Sequence, residues 1–180
     1  MLCFRSAYER LMSIHPVLGI LASWDLTRVK RYLEATEGFA MEHLDAMERE
    51  YKRFHALVVL NQGDRPVPIT LHVDPMWHAH ILFTADYRCF CEAVHGLYLN
   101  HNPTVTDLER EHLRPAYIAN TLADYDMYFG LPPVEFWGAT EEAICLSDRV
   151  PVVCVQDRMP VVCVQDRIAV DEHSLLSCRR

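Results

Sequence analysis

The chain has 180 residues, 51% hydrophobic and 23% charged, proportions of a globular fold and too apolar for a disordered one. Its 17 basic and 25 acidic residues leave a net charge of -8, which argues against general nucleic-acid binding, since that needs a basic footprint on phosphate. No stretch approaches the roughly 18 consecutive apolar residues of a membrane span, and Met1–Arg10 lacks the apolar run and cleavage site of a signal peptide.

Ser23 to Thr36 predicts a helix, with Ser23 or Asp25 as N-cap, Leu26, Val29 and Leu33 at helical spacing and Gly38 as the stop. A second helix is expected over 40–60. Leu44, Met47, Tyr51, Phe54 and Val58 alternate by threes and fours, which makes them one core-facing stripe. Glu48, Glu50, Lys52 and Arg53 are expected on the opposite, solvated side. Asn61, Gly63, Pro66 and Pro68 mark a loop.

Asp74-Pro75 is a strong helix start, with Asp74 as N-cap and proline at the first helical position. Neither Gly nor Pro follows until Gly96, so one helix is expected over 75–94. Thr106 and Glu109 have the spacing of a capping box that opens another helix. Pro115 is a candidate kink, and Ile118, Leu122, Tyr125 and Phe129 continue an apolar stripe to Gly130. Pro132-Pro133 ends it, and Phe136-Trp137 is expected to fold back onto the core.

Beyond about Ala139 the composition changes. Residues 151–158 and 160–167 are the same octet, PVVCVQDR, too few copies for a solenoid. The expected organisation is a helical domain at 1–139 and a C-terminal tail at 140–180, the tail a β-hairpin or disordered. The fold class is mainly α, a compact bundle of about five helices. Seven cysteines in irregular spacing, without an export signal, are expected as reduced thiols in the cytoplasm.

Five of the ten histidines (72, 78, 80, 95 and 101) and two of the seven cysteines (89 and 91) fall within residues 72–101, a sixth of the chain. Both types ligate transition metals. Helix geometry limits what they can do together. On a straight helix His78 and His80 point roughly 200° apart, and His80 and Cys91 are separated by about 16 Å. Metal–ligand bonds are only about 2.0–2.3 Å, so one unbroken helix cannot gather all three on one ion. Two pairs survive at four-residue spacing, Asp74 with His78 and Cys91 with His95. Either could be completed from elsewhere, for example by His55, His101 or His112. No phosphate loop, nucleophile elbow or His-Glu-x-x-His motif occurs.

The segment Val73–Pro103 resembles the N-terminal domain of plant glycine-rich domain-containing proteins and its stand-alone microbial relatives. The likeness rests on Asp74, Trp77-His78-x-His80-Ile81-Leu82, Tyr87, Cys91-Glu92, Gly96, His101 and Pro103, with Tyr51-Lys52-Arg53-Phe54 upstream and Tyr125 to Trp137 downstream. His95 and Asn100 depart from the pattern, an aromatic residue and a second histidine being expected there. The resemblance implies more about fold than about chemistry. It places His78, His80, Cys91 and His101 on motif positions and, with Asp74, makes them the candidate ligands of a divalent metal such as zinc, not all on one ion. The expected function is a small helical binding or interaction module with a protein partner, without nucleic acid or membrane. The alternatives are a metal-dependent hydrolase or oxidase using the same histidines, and a purely structural or assembly protein.

Overall fold

A computed structural model describes residues 7–61, 65–138 and 143–148, all within the compact unit Met1–Arg149. The duplicated octets lie outside the described residues. The fold is mainly helical, as expected. In chain order the elements are α1 (Ala7–Ser23), α2 (Thr27–Glu37), α3 (Met41–Asn61), β1 (Pro68–Thr70), α4 (Asp74–Leu82), α5 (Thr84–His95), β2 (Asn100–Pro103), α6 (Asp107–Ala116), a π-helical turn (Tyr117–Leu122), α7 (Ala123–Phe129), α8 (Val134–Trp137) and β3 (Ala143–Asp148). The helices are more numerous and shorter than a bundle of about five.

Local chemistry accounts for most boundaries. The Asp25 carboxylate accepts the Thr27 backbone N–H at 2.9 Å, and α2 stops at Gly38, whose φ of 74° suits a residue without Cβ. At α6 the capping box forms as expected. Thr106 accepts the Glu109 N–H, and the Glu109 carboxylate accepts from the Val105 and Thr106 backbone, bonds that hold the Glu109 carboxyl below its ordinary pKa.

The long helix α3 carries the core. Leu44, Met47, Tyr51, Phe54 and Val58 are all buried, packed with Val29 and Leu33 of α2, Trp77 of α4 and Phe90 of α5. Glu50 corrects the expected solvated face, because it is fully buried. It lies three residues after Met47 and four before Phe54, so helical spacing puts it beside the apolar stripe. One oxygen accepts from Tyr125 Oη at 2.5 Å and Trp137 Nε1 at 2.9 Å. The other accepts from Arg49 Nε and Arg53 Nη1 at 3.2 and 3.1 Å. A carboxylate taken from water needs this degree of pairing.

The helix expected over 75–94 is two helices, separated at Phe83, where φ is -86° and ψ 61°. The break accompanies a side-chain contact that a straight helix would not allow. His80 Nε2 lies 2.9 Å from Asp86 Oδ2. On a straight helix residues six apart would be separated by about 9 Å of rise and roughly 240°. Past Pro115 the chain widens into the π turn instead of kinking, since proline offers no N–H for the regular ladder. The wider turn shifts the helical register. Tyr117, Thr121 and Tyr125 become buried while Ile118, expected in the stripe, is exposed. Phe136 and Trp137 do fold back onto the core.

The small sheet has the order β1-β3-β2, with both pairings antiparallel. Its middle strand comes from the segment grouped with the tail in the sequence. Ile69 pairs with Cys145, and His101 with Ser147. No helix among the described residues is long and apolar enough to cross a membrane.

Candidate functional site

The sheet brings together residues that are 27 positions apart. Asp74 opens α4 four residues after β1, and His101 lies on β2. Because β3 pairs with both strands, His101 Nε2 comes within 2.8 Å of Asp74 Oδ1. His78, one helical turn beyond Asp74, places Nε2 3.3 Å from the other carboxylate oxygen, Oδ2. One ligand atom from each of the three residues lies within 4.8 Å of the others. Asp74 is therefore not the expected helix cap: the cap position is Val73, without a side-chain bond. The Asp74 and His101 side chains are nearly buried, at 6% and 7% exposure, whereas His78 is 56% exposed. The cluster thus has a closed protein side and an open side at His78.

Trp77 shapes this site. The His101 ring packs against its indole at a centroid distance of 4.4 Å. The indole Nε1 donates to Tyr87 Oη at 2.8 Å, and that hydroxyl donates to the Leu99 carbonyl at 2.6 Å. The same residue supports the imidazole and fixes the backbone that leads into β2. Burial raises the Tyr87 hydroxyl pKa well above its ordinary value, so it stays a donor.

His80 and Cys91, the other two candidates, do not join the cluster. The His80 ring is fully buried, with Nδ1 3.0 Å from Tyr51 Oη and Nε2 on Asp86. A carboxylate on Nε2 fixes the proton there, which leaves Nδ1 to accept from the tyrosine. Both ring nitrogens are engaged. Cys91 is a buried free thiol. Burial pushes its pKa up, against the pull of the Leu99 backbone and Tyr87, so it stays protonated and is a poor ligand or nucleophile. His95, which spacing allowed as a partner for Cys91, places Nε2 2.8 Å from His55 Nδ1. His112 is exposed on α6. Cys89 is disulfide-bonded, where a reduced thiol was expected; an odd cysteine count guarantees one unpaired thiol but forbids no single pair.

Residues 21–115, more than half of the 180-residue chain, match the model of the UCP032817-like family. The chain belongs to the UCP032817-like family. No match is found among curated proteins or solved structures. The UCP032817-like segment contains Asp74, Trp77, His78, His80, Tyr87, Cys91 and His101, so the whole cluster and its supports fall inside it.

The same UCP032817-like segment buries two further polar groups, one expected on the solvated face and one weighed only as a candidate to complete a ligand pair. Glu50 is one. His55 is the other, enclosed by Tyr51, Phe54, Trp77 and Phe90 with centroid distances of 4.4–5.9 Å. Among the described residues its Nε2 has no hydrogen-bond partner. Burial, then the neighbouring His95 and His80, hold its pKa well below the ordinary imidazole value, so the ring is neutral. Spacing carried the signal: His55 follows Tyr51 by four residues, as Glu50 follows Met47 by three.

Proposed function

We propose that the chain is a small helical binding module whose Asp74, His78 and His101 hold one divalent transition metal such as zinc. The convergence of two imidazole nitrogens and a carboxylate from separate elements is the observation that supports it. Two histidines and a carboxylate are a donor set used for zinc and iron. On loading, bonds to the metal would replace the His101–Asp74 hydrogen bond at 2.8 Å and the 3.3 Å approach of His78 Nε2 to Asp74. Trp77 and Tyr87 orient His101. Three protein ligands leave at least one coordination position open, on the side of exposed His78. The likeness to the plant glycine-rich domain-containing proteins and a protein partner belong to this proposal.

The second reading is a metal-dependent hydrolase or oxidase, favoured by the open side at His78, where water or a substrate oxygen would reach the ion. The third, a structural protein, uses the cluster only to tie α4 to β2.

Zinc titration of tag-free, metal-stripped protein separates the two metal-binding readings from the structural one. The binding module takes up one equivalent. His78→Ala, His101→Ala and Asp74→Asn each lower affinity by more than about a hundredfold, since even supporting residues around metal ligands are worth about 10–100-fold. Cys91→Ala leaves affinity unchanged. A metal-free chain whose melting is indifferent to zinc and to chelator would support the structural reading and end the first two.

A further inference from the structure

A cavity of about 540 Å³ lies among α1, α3 and α7 and involves none of the clustered histidines. Leu18, Leu21 and Ala22 of α1 with Phe129 of α7 supply its apolar lining, and α3 supplies a charged edge on which Arg49, Lys52 and Arg53 outnumber Asp45 and Glu48. The charges around it are unequally engaged. Lys30 bridges Asp45 and Glu48 at 2.7 and 2.6 Å. Lys52 holds Glu48 at 2.7 Å and the Trp24 carbonyl at 2.8 Å. The arginines differ. Arg49 uses Nε on Glu50, and Arg53 uses Nη1 on Glu50 and on the Tyr125 hydroxyl at 2.6 Å. Their other guanidinium nitrogens have no acceptor among the described residues. Among the lining residues the three cations Arg49, Lys52 and Arg53 stand against the two carboxylates Asp45 and Glu48, an excess of one positive charge in a chain of net charge -8.

The two guanidinium groups are four residues apart and therefore neighbours on one face of α3. Their N–H groups form forks suited to a carboxylate. Small-molecule sites have about this volume and combine mostly apolar walls with a few placed polar groups. We propose that this cavity binds a monocarboxylate with a medium-length apolar tail, the head on Arg49 and Arg53 and the tail against Leu18, Leu21, Ala22 and Phe129. The site is independent of the metal cluster.

Calorimetric titration of the full chain with octanoate, 1-octanol and butanoate tests it. Octanoate saturates one site. Octanol, lacking the charge, binds about tenfold more weakly or worse, and butanoate, four methylenes shorter, more than about a hundredfold more weakly. Arg49→Gln, on the exposed edge, weakens octanoate about tenfold and leaves octanol unchanged. Ala22→Trp fills the cavity and removes both. No saturable octanoate binding, equal affinity for octanol, or octanoate affinity unmoved by Arg49→Gln would overturn the proposal. Arg49→Gln decides it if Ala22→Trp does not fold.

Discussion

His78 and His80 stand two residues apart on α4, yet their environments are opposite. His80 is enclosed, with one ring nitrogen on Tyr51 and the other on Asp86. His78 is half-exposed and shares a buried carboxylate with His101. A fully engaged imidazole locks three elements together and has no lone pair left for a ligand. One held at a single nitrogen beside a second imidazole can exchange a proton for an ion. The residue type alone does not distinguish these roles; the partners do.

The largest expected effects come from the enclosed region. Glu50→Gln removes the charge that Arg49 and Arg53 face in the core. Loss of one partner of a buried pair costs about 3–5 kcal/mol, and exposure of the arginines, at 56% and 31%, puts this case near the low end. Chemical denaturation reads it as a lower midpoint. His80→Ala opens a cavity and leaves the buried Tyr51 hydroxyl unpaired, at a cost of about 3 kcal/mol. His78→Ala, on the open side, should change stability by no more than about 0.5 kcal/mol in metal-free protein. Equal losses for the two histidines would remove the contrast.

A smaller effect follows pH. The folded protein holds His55 neutral, with its pKa depressed from 6.5. Below about pH 6.5 the unfolded chain binds a proton that the native ring refuses, so stability is present above that pH and lost as the pH falls toward the depressed native value. The slope from this residue approaches about 1.4 kcal/mol per pH unit. Melting followed from pH 7 to 5 should flatten in His55→Phe; a slope unchanged by that substitution would show that His55 is not the group responsible.

The same contrast shows what the sequence could reveal. Residues whose neighbours are close in the chain were legible: the α3 stripe, the stop at Gly38, the Thr106–Glu109 box and the divergence of His78 from His80. Most features that were not legible depend on distant partners. The helix break at Phe83, without Gly or Pro, is a local exception, and His80 meets Asp86 across it. The strands are three, four and six residues long, too short for a period-2 pattern to stand out. Their pairing alone brings His101 to Asp74. Glu50 was legible by spacing and was assigned to the solvated side because polar residues are usually exposed, and His55 was weighed only as a ligand.

Whether the open cluster is a metal centre is tested most directly by anomalous diffraction from crystals of the tag-free protein loaded with zinc, measured on both sides of the zinc absorption edge. The account predicts one ion bonded to His78 Nε2, His101 Nε2 and a carboxylate oxygen of Asp74, with His80 and Cys91 uninvolved. An anomalous map without a peak there, with Asp74 still hydrogen-bonded to His101, would contradict it.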